Sequence, residues 1–185
     1  MRVARGLVVV VVLSLAASAA GAQTRRPVVG LVGGATLSDF QNPDSESRWG
    51  GTAGLFVGAP SYRTLSLLEV NWIQKGGGDT RIDYIEIPLT FGAVARGRGG
   101  ESRVRFYGGI SVAFKIACDS GTTGLCDAVN GTEWGAPLGL MLGRYKANGS
   151  FMGVDARYSF GLSDVVDIGT YHQTWQFRLI LGRAR

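Results

Sequence analysis

Three groups of residues in this chain of 185 residues have side chains that could take part in chemistry: one histidine, two cysteines and a set of alternating charges. His172 is close in sequence to Ser163, Asp164 and Asp167, the residue types that a hydrolase uses. A hydrolase needs a base that is held by an acid beside a nucleophile, and loops collect such residues by chance. We therefore interpret His172 as a solvent-exposed loop histidine and predict that the protein is not an enzyme.

The two cysteines, Cys118 and Cys126, are eight positions apart. They predict a disulfide that closes a loop, because an exported chain can keep such a bond. A metal site is the weaker interpretation, since two cysteines without a nearby histidine supply too few ligands. We predict no metal and no other cofactor.

The charged residues follow a strand-like alternation that is clearest between Arg103 and Ala117. Even positions there are apolar or glycine, and odd positions carry charged, hydroxyl, aromatic or small side chains. Successive side chains of a strand point to opposite faces, so a half-buried soluble strand would show the same pattern. This stretch is longer than the usual five or six residues, and a strand that crosses a bilayer needs roughly 9–11. The length favours a transmembrane strand with its polar face inside a closed barrel.

Seven further stretches complete the pattern. The eight predicted strands are 28–37, 50–60, 64–75, 81–95, 103–117, 132–143, a seventh around 152–158, and 172–183. Pro88 counts against the fourth, because proline within a sheet usually lies at an edge or a bulge. Long connections (38–49, 118–131, 161–171) alternate with short ones (61–63, 96–101, 144–148), although the connection near Gly77 is short. Together these features predict an all-β fold, an eight-stranded antiparallel up-and-down transmembrane β-barrel.

The same alternation assigns side chains to the two faces of the barrel. A network of inward charges is predicted from Glu69, Glu86, Arg103, Arg105, Lys115, Glu133, Asp155, Arg157 and Arg178. Four tryptophans fall near the long-loop ends of strands on the outward face and predict an aromatic girdle at the membrane boundary: Trp49, Trp72, Trp134 and Trp175. A structural salt-bridge network is favoured over a narrow pore or ligand site, because eight strands leave an interior that side chains can fill.

The first 22 residues have the composition of a secretory signal peptide. Arg2 and Arg5 form a basic start, residues 7–15 an apolar middle, and Ala20-Gly21-Ala22 a small-residue cleavage site. A membrane-anchoring helix is the weaker alternative, because the apolar stretch is about half of the roughly 20 residues that a span requires. Residues 23–185 would form one barrel domain. Its net charge of +3, against +5 for the whole chain, is too small and dispersed to indicate nucleic acid.

Several motifs resemble the PorT-like outer-membrane β-barrel family. They are Gln74-Lys75-Gly76 followed by Asp83-Tyr84-Ile85-Glu86-Ile87-Pro88-Leu89, the segment 155–162, and the glycine-rich segment 30–40. The resemblance covers nearly all of the predicted mature chain. It implies an eight-stranded barrel that tolerates a proline in its fourth strand, and it implies no catalytic activity and no settled common function. The final residues, Leu181 to Arg185, depart from the aromatic C-terminus usual in such barrels, which puts the efficiency or route of insertion in question.

Two functional hypotheses follow from the pattern. The first is a non-enzymatic, monomeric barrel in the outer membrane of a Gram-negative-type bacterium, inserted by the barrel assembly machinery and surrounded by outer-membrane lipid. It would serve envelope structure or bind a surface partner through its first, third and fourth outer loops. The second is a secreted, soluble, lipocalin-like barrel that binds a small apolar ligand. The inward charges and the outward apolar faces disfavour the second hypothesis.

Overall fold

The computed structural model describes residues 27–40, 46–61, 63–97, 101–121, 125–163 and 171–184. Eight antiparallel strands pair in chain order and close through the pairing of the first with the last, which confirms the predicted fold class. The strands are β1 (Val28–Phe40), β2 (Arg48–Pro60), β3 (Thr64–Gly77), β4 (Thr80–Arg96), β5 (Ser102–Asp119), β6 (Thr132–Tyr145), β7 (Ser150–Gly161) and β8 (His172–Ala184). One short helix, α1 (Leu125–Ala128), lies between β5 and β6.

The side chains of β5 show how the alternation is realised. Phe106 and Ile110 are 61% and 55% exposed, whereas Arg105, between two outward neighbours, is 1% exposed. The apolar–polar alternation of β3 is imperfect in the sequence, because Leu65 and Leu67 have the parity of its polar face. Both leucines are buried inside the barrel. The outer surface is therefore apolar and the lumen holds the charges, the arrangement of a barrel whose outer face meets hydrocarbon.

The connections differ in length between the two ends of the barrel. At one end, called here the short-turn end, residues 61–63, 97–101 and 146–149 link neighbouring strands. At the opposite, long-loop end, β1 and β2 extend further than predicted, which reduces the first connection to residues 41–47. Gly78 and Asp79 form the second connection, and Gly78 has a positive φ of 53° that a tight turn permits in glycine. Residues 41–45 and 164–170 lie outside the described ranges.

Two inward prolines interrupt the ladders without changing their register. The β3–β4 pairing omits the two positions where Glu69 and Val70 lie opposite Pro88 and Ile87, and it continues in the same register on either side. The β5–β6 pairing does the same at Pro137. The bulge of β4 lies instead at Asp83 and Tyr84. The proline thus removes one donor from the ladder and leaves the strand continuous.

The lumen is layered along the barrel axis. An apolar cluster near the short-turn end consists of Val28, Val32, Phe56, Leu65, Leu67, Tyr107, Met141, Phe151 and Ile180. A second cluster near the long-loop end consists of Ile73, Ile82, Tyr84, Ala113 and Val129. Buried charged side chains share the lumen with both clusters: Lys75 lies against Tyr84 of the second, and Arg105 against Tyr107 of the first. Within the described ranges, no helix is long and apolar enough to cross a membrane.

Candidate functional site: the charged lumen

Four charged residues form the central cluster of the lumen: Glu69, Asp155, Arg157 and Arg178. Arg178 donates from Nη1 to Glu69 Oε2 at 2.8 Å and from Nε to Asp155 Oδ2 at 2.9 Å. Arg157 donates to the other oxygen of Glu69 through Nη2. Asn71 completes the shell of Glu69 at 2.9 Å. Two acids and two arginines, all buried, thus neutralise one another. Such pairing is needed because an unpaired charge in an apolar interior is costly.

Tyr107 connects this cluster to β5. Its hydroxyl donates to Asp155 at 2.8 Å and accepts from Arg157 Nε at 3.0 Å. The ring has room only because position 139 on β6 is glycine. A Cβ added at Gly139 would lie 2.4 Å from the Tyr107 hydroxyl. A small residue on one strand therefore permits a hydrogen bond between two others.

A second group lies closer to the long-loop end and corrects the interpretation of His172. This histidine is not an exposed loop residue: it is 1% exposed, begins β8 and points into the lumen. Its Nδ1 lies 2.8 Å from Glu133 Oε2, and Lys75 Nζ donates to Glu133 Oε1 at 3.0 Å. Phe40 stacks on the imidazole, and Tyr84 packs edge-on against it. The expected exposed loop position was wrong because His172 is the first residue of β8 and has the inward parity of Thr174, Gln176 and Arg178, so its ring enters the lumen.

Two buried charges from the predicted set form no ion pair within hydrogen-bonding distance. Among the described residues, neither carboxylate oxygen of Glu86 has a hydrogen-bond partner, and the side chain is almost fully buried. Arg105 is held by neutral groups: it donates to the carbonyl of Leu65 at 3.1 Å and to Thr90 Oγ1 at 2.9 Å. Its guanidinium also lies over the ring of Tyr107. Inward direction alone does not bring these residues into the ion-paired clusters.

Arg103 and Lys115 depart from the predicted network because they lie near the two ends of β5. Arg103 is half-buried, and its guanidinium lies 3.9 Å from the centre of the Tyr145 ring, at the short-turn end. Lys115 is also half-buried and donates to the carbonyls of Cys126 and Val129. Its ammonium group therefore holds the third loop against the barrel.

The same loop contains the predicted disulfide. Cys118 at the end of β5 is bonded to Cys126 in α1, which confirms the pairing expected from the sequence. The bridge and the bonds from Lys115 restrain the loop from both sides. Within the described ranges, no group of three or more His, Cys, Asp or Glu residues could hold a metal ion.

The four tryptophans lie towards the long-loop end of the barrel. Trp49, Trp134 and Trp175 are prominent on its outer surface, and Trp72 is partly exposed. Trp49 belongs to β2 because that strand begins at Arg48. Leu37 of β1 separates Trp49 from Trp175 at one level of the sheet. This placement supports the aromatic girdle as a proposal, since tryptophan favours the boundary between membrane and water.

The candidate hydrolase residues are not brought together as a catalytic group in the described structure. Ser163 Oγ accepts a bond from the backbone nitrogen of Trp134 at 2.9 Å, and His172 bonds Glu133 in the lumen. Asp164 and Asp167 lie outside the described residues. The lumen partners Lys75 and Tyr107 were missing from the predicted network, although both have inward parity. Alternation could have placed Lys75 and Tyr107 in the predicted lumen network. It could not have shown that Lys75 bonds Glu133 and that Tyr107 bonds Asp155.

Comparisons with known proteins address the fold. No protein-family model matches the sequence, and no curated protein matches it. Among solved structures, the chain is similar to Neisserial surface protein A, with a TM-score of 0.64 at 8% identity over 86% of this chain and 97% of that one. It also matches Ail, the attachment invasion locus protein of Yersinia pestis, with a TM-score of 0.45 at 12% identity over 85% and 99% of the two chains. The second score is too low to carry an argument. The chain therefore has the fold of an integral β-barrel of the outer-membrane kind. This conclusion rests on the closed ladder, the apolar exterior and the similarity to Neisserial surface protein A.

Proposed function

We propose that this chain is a non-enzymatic protein of the outer membrane that serves envelope structure or surface interaction through its long loops. Its lumen would act as structural filling. Ion pairs and two apolar clusters pack the interior of the barrel, and the long loops extend from this scaffold. Loops on a rigid scaffold are where binding residues are usually found.

The observation that carries the proposal is the inversion of polarity between the two faces. Outward side chains of every strand are largely apolar, whereas Arg157, Glu69 and Arg178 are almost fully buried. A soluble monomer would expose an apolar surface far above the few hundred Å² that such proteins tolerate. The lipocalin-like alternative also needs an apolar interior for its ligand, and ion pairs cross the middle of this lumen. The inversion favours the membrane barrel.

The proposal includes several features expected from the sequence. They are cleavage after Ala22, insertion by the barrel assembly machinery, a monomeric state, surrounding outer-membrane lipid, the aromatic girdle and membership of the PorT-like family. N-terminal sequencing of the protein recovered from membranes tests the cleavage, with Gln23 as the expected first residue. A protein that starts at Met1 would contradict this part of the proposal alone.

The location is tested by fractionating cells that produce the full chain. We expect the protein to sediment with outer membranes, to resist extraction by urea and to change its electrophoretic mobility on heating in detergent. A Phe106→Arg variant provides the matched test, because a charge on the lipid face costs about 2–4 kcal/mol at the midplane and should reduce insertion. Recovery of the unheated wild-type protein in the detergent-free periplasm would refute the membrane assignment.

The two roles can be separated by complementing a deletion strain. One complementing gene encodes the wild-type chain, and a second replaces residues 120–130 by a short glycine–serine link in a Cys118→Ser background. If the loops bind a partner, the trimmed variant should fold but fail to restore surface-dependent phenotypes. Equal rescue of envelope permeability by both genes would favour the structural role. Failure of both genes to restore any phenotype would contradict the two roles together.

A further inference from the structure

A cleft opens at the short-turn end of the barrel, away from the loops of the proposed function. It is shallow: its enclosed part has a volume of about 20 Å³, and the rest is open to solvent. Three arginines from β4 and β5 line it, Arg96, Arg103 and Arg105, together with Tyr145 and the hydroxyl-bearing residues Ser61 and Thr64. Of the described residues that line the cleft, none is acidic.

Arg103 carries a donor that the protein leaves unused. Its guanidinium lies over the ring of Tyr145, yet its buried Nε has no hydrogen-bond partner among the residues that the structure describes. A buried N–H without a partner costs roughly 1–3 kcal/mol, and more when the group is charged. The stacking orients the planar guanidinium at the cleft, and the Nε is a donor that an acceptor reaches only if the side chains covering it move.

Arg105 adds positive charge at the bottom of the cleft. It is 1% exposed, and it donates hydrogen bonds to the carbonyls of Leu65 and Thr90 and to the Thr90 hydroxyl. Neutral groups satisfy its donors without cancelling its charge. Arg105 and Arg103 therefore present positive charge that carboxylates in the described cleft do not neutralise.

The surrounding end of the barrel has the same sign. Basic residues near its turns and strand ends are Arg63, Arg96, Arg144, Lys146 and Arg183. In the described ranges the acid of this end is Glu101, and it already bonds Arg144. Clustered charge of one sign raises the local concentration of ions of the opposite sign. The cleft thus lies inside a positive field.

We propose that this cleft binds a small phosphate-type oxyanion, with Arg103 as the main charged donor and Arg105 as an electrostatic support. Guanidinium groups suit this task because their planar fork matches the oxygens of phosphate. Ser61 and Thr64 carry hydroxyl groups that can donate to a further oxygen. Outer-membrane barrels have short turns on the periplasmic side, so the short-turn end of the proposed membrane barrel would face the periplasm. The oxyanion is then either free phosphate from the periplasm or the phosphodiester headgroup of a lipid in the inner leaflet.

The first test measures binding of inorganic phosphate by calorimetry to the full barrel in a maltoside micelle. Arg103→Gln should weaken binding about tenfold, the loss expected for one charge-assisted hydrogen bond. Arg144→Gln is the matched control, since it removes one exposed arginine at the same end outside the cleft lining. It should change the affinity less than about twofold, by surface screening.

A mobility shift on heating confirms that each variant is folded. If Arg103→Gln does not fold, Arg103→Lys replaces it, because lysine keeps the charge but lacks the Nε donor, and binding should again weaken. Absence of phosphate binding by the wild-type barrel would overturn the proposal. So would an equal loss in the Arg103 variant and in Arg144→Gln, because that result would indicate a diffuse surface effect.

The second test distinguishes the two sources of the oxyanion. The wild-type barrel is placed in nanodiscs of phosphatidylcholine, with or without phosphatidylglycerol, and the phosphate titration is repeated. An unchanged affinity supports free phosphate as the ligand. A weaker apparent affinity in the phosphatidylglycerol discs, absent in Arg103→Gln, supports competition by a lipid headgroup. Weakening that persists in Arg103→Gln would place the competition elsewhere and contradict a headgroup site in the cleft.

Discussion

Glu69 and Glu86 face the lumen from neighbouring strands, and both are almost fully buried, at 3% and 1% exposure. Their environments differ sharply. Glu69 accepts bonds from Asn71, Arg157 and Arg178, whereas neither oxygen of Glu86 has a hydrogen-bond partner. Lys75 interacts electrostatically with Glu86, but its ammonium group bonds Glu133 instead.

The difference shows that burial and pairing are separate properties of an inward charge. Both glutamates point inward because the alternation of their strands requires it. Only Glu69 lies where two arginines from β7 and β8 converge on it across the barrel. Removing a buried carboxylate from its ion pair lowers the free energy of unfolding, whereas a buried carboxylate without a partner already lowers it. Substitutions at these positions should therefore have opposite effects on stability.

The largest effect should come from Glu69→Ala. The change leaves Arg157 and Arg178 without their shared acid, and removing one partner of a buried ion pair costs about 3–5 kcal/mol. Urea unfolding in lipid vesicles, followed by tryptophan fluorescence, measures this loss. The control is Glu101→Gln at the exposed pair with Arg144, where about 1 kcal/mol or less is expected. A loss below about 1 kcal/mol at Glu69 would mean that the central cluster does not support the barrel.

Lys75→Met should have the next largest effect. It removes the cation that bonds Glu133, while His172 continues to bond the other oxygen of that acid. We expect a loss of about 2–3 kcal/mol in the free energy of unfolding, the upper range for a hydrogen bond to a charged group. Combining it with Glu86→Gln gives a double-mutant cycle. Strict additivity would show that Lys75 does not stabilise the charge of Glu86.

Gly139→Ala tests the central cluster without changing a charge. The added methyl group would collide with the Tyr107 hydroxyl and push it away from Asp155. Overpacking of this kind typically costs about 1–3 kcal/mol. Gly131→Ala is the matched control, because no heavy atom lies within 4 Å of the added Cβ. Equal stabilities of the two variants in the urea titration would contradict the tight contact at Tyr107.

Glu86→Gln should give the smallest effect, with the opposite sign. A neutral amide is less costly to bury than a carboxylate that lacks a hydrogen bond. We expect the free energy of unfolding to rise by at most about 1 kcal/mol. The same titration run beside Glu69→Ala makes the contrast direct. If Glu86→Gln destabilised the barrel as strongly as Glu69→Ala, the two glutamates would share one role and the comparison would fail.

The eight strands and the faces of their side chains could be predicted from the sequence. Period-two alternation is a local property, and a bilayer requires every outward face to be apolar. It therefore assigned Arg105, Glu86 and Arg157 to the inside. Strand ends were less well determined, since β1 and β2 extend beyond their predicted limits. The inward parity of His172 could have been read from the predicted strand, whereas its contacts with Glu133, Phe40 and Tyr84 depend on three-dimensional packing.

Alternation and length indicated strands with charges on one face and apolar side chains on the other, because the face of a side chain depends on its neighbours in sequence. Closure itself depends on the pairing of β1 with β8, which lie at opposite ends of the barrel sequence. Tertiary structure decided which charges meet. Glu69 and Arg178 are 109 positions apart, and they bond because closure of the barrel brings β3 and β8 to opposite sides of one narrow lumen. The unpaired state of Glu86 and the positive cleft around Arg103 have the same origin, since each depends on strands that are distant in the chain.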